Sequence, residues 1–461
     1  MNRPFSYVRW MLIIITVIPF TACMRSLPDS FRLPAPDALA PIRVQGLDTA
    51  EVWPAMFARA DAPPEEIERV AQWLHVEQHI AGRPLVAGNE VQVLIDGPMT
   101  FDVMFSAMRS AEHHIHLETF ILSDDEIGQQ LADILLERRR AGVEVRVIVD
   151  AFGALDATEG FLNNLRAAGI EIHKYHPINP TEDLRFWRIN TRHHRKMLIV
   201  DGRTGFLGGL NISGVYADSS FHDPDRKKAP DEAWRDTHVR VEGPIVADLQ
   251  ELFVALWAQL HASPQLSGPE YFPVLPMAGG DMIRAVNNMA ADQAHEIYRL
   301  YLAGFYFAKR TIWITQGYFS PDRTFLEALK AASQRGVDVR LLLPGVTDSW
   351  ITISSSRAHY EELLREGVRI FERHDVLQHA KTVVIDSLWS MVGSANLDHR
   401  SFLHANEANL VIWGREFGHK MDVLFLNDQA QNIEIKLSEW RERPLYRHLL
   451  ETFASLFDYW L

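Results

Sequence analysis

The chain has 461 residues, 47% of them hydrophobic, enough for a large core or for two domains of ordinary size. Its 46 basic and 60 acidic side chains leave a formal net charge of −14, which argues against nucleic acid as a partner while leaving room for a local basic site. The single cysteine, Cys23, excludes an internal disulfide.

The N-terminus reads MNRPFSYVRWMLIIITVIPFTACM. Arg3 and Arg9 form a basic region ahead of an apolar run from Trp10 to Phe20, which is short of the ~20 residues that span a bilayer and fits a secretory signal over 1–23. The ending FTAC resembles a bacterial lipoprotein processing site, with Phe20 where a smaller aliphatic residue is usual and Cys23 as the candidate lipid anchor. The alternative is an uncleaved hydrophobic anchor. Either tethers the protein to a membrane, and the lipoprotein form makes it periplasm-facing. Residues 24–85, rich in proline and acidic residues, read as a leader with a helical patch from Glu65 to His79.

A strand–helix rhythm then begins. VQVLI (91–95) reads as a strand, Thr100 to Ala111 as a helix with Phe101, Met104, Phe105 and Met108 on one face, and HIHLETFIL (114–122) as a strand. Ile127 to Arg140 reads as an amphipathic helix closed by Gly142, and VEVRVIVD (143–150) as an alternating strand. Short β runs separated by helices predict an α/β fold. The order then returns. TIWITQGYF (311–319) answers HIHLETFIL, RGVDVRLLLP (335–344) answers AGVEVRVIVD, and GVRIFERH (367–374) answers GIEIHKYH (169–176), at offsets of 194 to 198 residues. This is an internal duplication. It predicts a first repeat over 86–262, a Pro- and Gly-dense linker over 263–285, and a second repeat with a C-terminal helix over 286–461.

The duplication includes a polar motif. HHRKMLIVD carries His194, Lys196 and Asp201; HAKTVVID carries His379, Lys381 and Asp386. Strand alternation points the histidine and lysine of each copy the same way, from a run apolar on both faces and therefore buried. Such a pair is costly to bury unless an anion meets it. Seventeen positions past each histidine stands an asparagine, Asn211 in GFLGGLN and Asn396 in MVGSAN. An imidazole, an ammonium, a carboxamide and small residues that allow close backbone approach fit a phosphoryl group, with Lys and Asn on its oxygens and His on phosphorus.

Two copies of H-x-K-x(4)-D, each followed by a Gly-rich segment and Asn, resemble the signature of the phospholipase D superfamily, and the chain is similar to its bacterial cardiolipin synthase-like branch over residues 90–461. WRDTHVRVEGPIV (234–246) and GSANLDHRSFLHANEANL (393–410) add to the likeness. The resemblance implies a duplicated phospholipase D fold: two α/β/α sandwich repeats about a pseudo-twofold axis, with one active site between them. It implies a two-step reaction without metal or cofactor. One histidine attacks the phosphodiester to form a phosphohistidine, and the other protonates the leaving alcohol and then deprotonates the acceptor. By this analogy His194 is the nucleophile and His379 the acid/base, although the near symmetry leaves the two interchangeable in sequence alone. The acidic residues that would hold the other ring nitrogens match Glu407 and Asp236. Asp201 and Asp386, although motif letters, read as turn or salt-bridge residues at strand ends. Ser394 stands where the first copy has Gly209; both are expected to line the substrate, and Ser394 to add a phosphate contact.

Several other features have two readings. Glu118 shares a strand face with His114 and His116, and lines the pocket or packs ordinarily. His75, Glu77 and His79 in HVEQH form a metal-like spacing or, as expected here, an exposed helix face. Lys-Arg runs at 137–140 and 225–228 read as solvated. The C-terminal stretch with Leu445, Leu449, Phe453, Leu456 and Trp460 at helical spacing reads as a helix packed on the core, or else as an interfacial helix. Phe186 and Trp187 form a candidate apolar lip. The function that fits is a phosphatidyltransferase that makes cardiolipin from phosphatidylglycerol, with phospholipids and the membrane surface as partners and phosphatidylethanolamine open as donor. A phospholipase D hydrolase, a nuclease and a non-catalytic lipid-binding protein are the alternatives.

Overall fold

The computed structural model describes residues 26–28, 31–34, 42–46, 49–57, 63–177, 190–218, 220, 233–262, 266–290, 294–347 and 349–460. Cys23, the signal segment, the candidate lip at 186–187 and the basic run at 225–228 lie outside them.

The first half builds a mixed sheet in the order Glu171–Tyr175, Glu144–Asp150, His114–Thr119, Met197–Val200, Thr204–Gly208, Thr237–Glu242 and Leu85–Ile95. The first three strands are parallel, and the later ones antiparallel. The second half repeats that order with Arg369–Arg373, Asp338–Pro344, Thr311–Gln316, Lys381–Ile385, Trp389–Gly393, Ala405–Trp413 and Asp281–Asn288, and adds an edge strand, Ile433–Ile435. Leu85–Ile95 joins the halves: its end pairs with Thr237–Glu242, while Val86 and Asn89 pair antiparallel with Ile283 and Asp281 of the second sheet. The duplication legible in the sequence is therefore a duplicated α/β sheet, its two copies meeting through equivalent strands.

Local signals repeat with the topology. Asp125 caps the helix Glu126–Arg140 by accepting from the N–H groups of Ile127 (3.1 Å) and Gly128 (3.0 Å). Asp322 does the same for Arg323–Gln334 through Thr324 and Phe325. Gly142 and Gly336 leave these helices at φ of +93° and +88°, the left-handed region that glycine enters without penalty. One apolar core lies under Asp96–Arg109, Glu126–Arg140 and Glu159–Ala167. A second lies under Glu296–Phe307 and Arg323–Gln334. A third is shared: Met197, Ile199 and Leu207 of one sheet meet Val384, Val392 and Leu410 of the other beneath Val246–His261 and Arg415–Gln429. This makes the halves one body. The runs MLIV and KTVVI are buried throughout, as their apolar faces predicted.

Four expectations change. The helical patch in the supposed leader is a helix, Pro64–Ala81, whose Val70, Trp73 and Leu74 sit inside the second core. Glu77 is not on an exposed face: it is fully buried, accepts from the indole N–H groups of Trp389 (2.8 Å) and Trp413 (3.0 Å), and lies 3.5 Å from Arg284. The segment expected as linker gives way at Asp281 to a strand that completes the second sheet. The helix Leu445–Ser455 does not pack its apolar stripe on the core; it buries Glu451 and Ala454 and turns its large apolar side chains outward.

Candidate active site

Each motif enters its central strand through a short parallel pairing with the other half. Arg192 and His193, just before His194, pair with Ala405 and Asn406, just before Glu407. Leu377 and Gln378, just before His379, pair with Trp234 and Arg235, just before Asp236. The backbone N–H of His194 donates to the carbonyl of Asn406 (2.9 Å), and that of His379 to the carbonyl of Arg235 (2.8 Å). The register therefore sets each histidine beside a carboxylate from the opposite repeat. His194 Nδ1 lies 2.8 Å from Glu407 Oε1, and His379 Nδ1 lies 2.6 Å from Asp236 Oδ2.

An ionised carboxylate only accepts, so both rings carry their proton on Nδ1 and present Nε2 with its lone pair. Burial pushes the imidazolium pKa of His194 down to about 4, with Glu407 opposing and Lys196 assisting the shift. For His379 burial and the neighbouring Lys381 bring it to about 3, against Asp236. Burial also lowers Lys196 to about 7; Glu407 opposes this and Lys381 adds to it. Both carboxylates lie below their usual range: burial, the largest single influence, raises them, but His194, Lys196 and Ser394 together outweigh it at Glu407, and His379, Lys381 and the Thr237 N–H at Asp236. Lys196 and Lys381 act on the histidine of the other motif as well as their own, so the two motifs share one electrostatic site. Neutral imidazoles whose Nε2 atoms have no hydrogen-bond partner among the described residues, flanked by two ammonium groups, suit an incoming phosphodiester anion.

Both lysines turn back on their own motif. Lys196 Nζ donates to the His194 carbonyl (2.7 Å) and Lys381 Nζ to that of His379. Asn211 accepts from the Ile121 N–H (3.0 Å) and donates to the Tyr216 hydroxyl (3.0 Å), leaving one amide hydrogen. Asn396 holds its carboxamide oxygen buried without a hydrogen-bond partner among the described residues. Aromatic rings wall the site. Phe120 stands 5.0 Å from the His194 ring and under Lys196, while Trp234 (4.7 Å) and Tyr318 (5.9 Å) flank His379.

Asp201 and Asp386 sit at strand ends with φ of 55° and 54°. Asp201 accepts from the N–H groups of Glu112, His113 and His114 (2.7–2.8 Å). Asp386 accepts from Lys309, Arg310 and Thr311 and meets Arg69 at 3.3 Å. Both tie the turn before a neighbouring strand and touch neither histidine, the structural part read for them in the sequence.

Three expected substrate contacts are corrected. Ser394 Oγ is buried and donates to Glu407 Oε2 (2.5 Å), so it holds a carboxylate rather than a phosphate. Gly209 is packed against Asp236: a Cβ there would fall 2.0 Å from Oδ1. The asymmetry follows from side-chain length, because the shorter aspartate takes up the space that serine occupies beside the longer glutamate. Glu118 lies on the far side of its strand from Lys196, 3.4 Å from His193 Nε2 and 3.8 Å from Arg195. Its strand neighbours His114 and His116 bond Gln250 and stack near Phe253 and Tyr271 as core packing. Sequence reasoning missed Tyr216, whose hydroxyl sits between Asn211 and His379 Nδ1 (3.2 Å). It lies five residues past Asn211 in no motif, and only the fold brings it to the other repeat's histidine.

Comparison with known proteins agrees with this geometry. The family model described as cardiolipin synthase, PLD-like domain, matches residues 104–221 and 304–429. The cardiolipin synthase of Geobacillus kaustophilus is 36% identical over 388 residues, 83% of this chain and 74% of its own length. That of Geobacillus thermodenitrificans is 35% identical over 390 residues, with the same coverage. The crystal structure of phosphatidylserine synthase from Haemophilus influenzae shares the fold, with a TM-score of 0.64 at 16% identity over 84% of this chain and 99% of that one. With its paired motifs in one site and these relatives along most of its length, the chain belongs to the phospholipase D-like cardiolipin synthase family.

Proposed function

We infer that the protein is a membrane-associated phosphatidyltransferase that joins two phosphatidylglycerol molecules into cardiolipin and releases glycerol. The observation that carries this reading is the reciprocal pairing of His194 with Glu407 and of His379 with Asp236 across the two repeats of a cardiolipin synthase-like chain.

His194 Nε2 attacks phosphorus, the P–O bond to the terminal glycerol breaks, and His379 delivers the proton that the glycerol oxygen takes as it leaves. The hydroxyl of a second phosphatidylglycerol then gives its proton to His379 and displaces His194 from phosphorus. Lys196, Lys381 and the free amide hydrogen of Asn211 stabilise the charge on the phosphoryl oxygens, the larger part of such catalysis. A positioned proton donor adds ~10²–10⁴-fold. His379, held neutral by burial without substrate, gains its proton when the phosphodiester anion arrives beside it. Hydrolysis would use the same groups with water as acceptor; the relatives named cardiolipin synthase favour transfer. No helix among the described residues is long and apolar enough to cross a membrane. Attachment is assigned to the N-terminal segment, with Cys23 as lipid anchor on a periplasm-facing protein.

Purified protein with phosphatidylglycerol vesicles should yield cardiolipin and glycerol. Phosphatidic acid as the main product at every lipid density would overturn transfer. For the anchor, Cys23→Ala should change processing and membrane fractionation, and unaltered behaviour would remove the lipoprotein assignment.

A further inference from the structure

The helix Leu445–Ser455 is built inside out. An amphipathic helix on a globular protein normally turns its apolar stripe to the core. Here Leu445 is 73% exposed, Leu449 63%, Phe453 51% and Leu456 69%, and Trp460 beyond the helix is 46% exposed. Tyr446 and Leu450 widen the same face. The side facing the body is narrow and polar. Glu451 accepts both guanidinium N–H groups of Arg443 (2.7 and 2.9 Å), Ala454 is fully buried, and Asp458 meets His359 (3.1 Å) and Ser355 of the adjoining helix Trp350–Ala358.

Polar anchoring fixes the helix while leaving its apolar face without a partner among the described residues, and the turn that follows it packs beside a strand that enters the active site. Tyr459 packs on His399 (6.1 Å) and His404 (5.2 Å). His404 stands just before the Ala405–Asn406 pairing that sets His194 beside Glu407, and its carbonyl accepts the N–H of Arg192. Continuity with the site and the chemistry of the substrate name the occupant. The donor lipid must bring its phosphate to His194, and the acceptor its glycerol hydroxyl to His379, while the acyl chains of both stay in the leaflet. An apolar face with a Trp just beyond its end is the composition of an interfacial helix.

We propose that the outward face of Leu445–Trp460 lies in the headgroup–acyl boundary of a phosphatidylglycerol-containing leaflet and holds the active site against the lipid it draws from. This rests on the phosphatidyltransferase reading for its choice of partner. The sole native cysteine makes the test direct. In the full chain with Cys23→Ser, a background lacking the proposed anchor and therefore first shown to make cardiolipin in the same vesicles, nitroxide labels are placed through Leu449→Cys, Phe453→Cys and, as a control on the exposed face of a remote helix, Gln130→Cys. With phosphatidylglycerol vesicles, the labels at 449 and 453 should become several-fold more accessible to lipid-dissolved oxygen than to an aqueous nickel chelate, while the label at 130 stays aqueous. Labels at 449 and 453 that remain as water-accessible as the one at 130 would overturn the proposal. So would labels already shielded before lipid is added, more so at higher protein concentration, which would mark the face as a contact between two copies. Cardiolipin formation is measured in the same vesicles: insertion without synthesis would sink the transferase reading alone, and synthesis without insertion the docking proposal alone.

Discussion

A single methyl group at Gly209 should disable the acid/base histidine without touching it. A Cβ there falls 2.0 Å from Asp236 Oδ1, and ordinary contact requires a separation about 1.4 Å larger. Oδ1 is held by the Thr237 N–H at 2.8 Å and Oδ2 by His379 at 2.6 Å, so the carboxylate cannot yield without giving up a partner. A retreat of that size from His379 would stretch the bond to about 4 Å, beyond hydrogen bonding. The ring would then lose its fixed tautomer. Loss of an orienting carboxylate costs up to ~10⁴-fold in kcat in a serine-protease triad, and a 1 Å misplacement alone costs ~10². Gly209→Ala should therefore lower kcat for cardiolipin formation by ~10²–10⁴ and change KM little, with a stability loss of ~1–3 kcal/mol from overpacking. Ser394→Gly at the equivalent position removes a hydrogen bond to Glu407, worth ~1.5–3 kcal/mol, and one from the Ala408 N–H, and leaves His194 bound to Oε1. Initial rates on phosphatidylglycerol vesicles, with thermal unfolding to confirm folding, decide the matter. A folded Gly209→Ala enzyme with wild-type kcat would refute the reasoning.

Three further outcomes follow from the site and its frame. Binding of glycerophosphoglycerol, a soluble phosphodiester, should take up more than one and up to about two protons at pH 7.5, because the anion recharges the neutral His379 and the largely neutral Lys196; calorimetry in buffers of different ionisation enthalpy should show this, and zero uptake would contradict it. Asp386→Ala should cost several kcal/mol, since it orphans the N–H groups of Lys309, Arg310 and Thr311 at ~1–3 kcal/mol each, while the folded enzyme keeps kcat within a few-fold. Acid should destabilise the fold between about pH 6.5 and 4. The imidazoles of His114 and His194 are lowered to about 4, mainly by burial, so in this window the unfolded chain binds more protons, and each contributes stability that is present above 6.5 and lost as pH falls. The loss is on the order of 3 kcal/mol for one such ring. His359, raised to about 9 by Asp458 and Glu362 against the opposing effect of burial, is protonated in both states there and adds little slope. Denaturant midpoints that stay flat from pH 7 to 5 would contradict the assignment of buried neutral rings.

The sequence carried the fold wherever two independent signals agreed. Strand alternation and the repeated order of elements were enough for the duplicated sheet, because the second copy checks the first. HIHLETFIL and TIWITQGYF, or AGVEVRVIVD and RGVDVRLLLP, say the same thing twice. The histidines, lysines and asparagines were legible because chemistry at phosphorus needs those groups at fixed spacing. Glu407 and Asp236 were reached through family likeness. Their crossed assignment, each serving the other repeat's ring, lies in two short parallel pairings that leave no periodic trace. Ser394 and Gly209 were misread because their partner is a carboxylate across the fold rather than a ligand. The helix Leu445–Ser455 was misread for a physical reason: amphipathicity states that two faces differ, not which one the protein covers. Glu77 was misread because a lone acidic residue among polar neighbours suggests solvent, and its indole partners lie more than three hundred positions away.

The central claim is that His194 carries the phosphatidyl group between two lipids. Rapid mixing of the enzyme with phosphatidylglycerol, quenching in alkali and peptide mass analysis measure it directly. The account predicts a burst of glycerol, up to one per enzyme, ahead of cardiolipin, together with a phosphatidyl adduct on the peptide containing His194. An adduct confined to the His379 peptide, or cardiolipin formed with neither burst nor adduct, would contradict it.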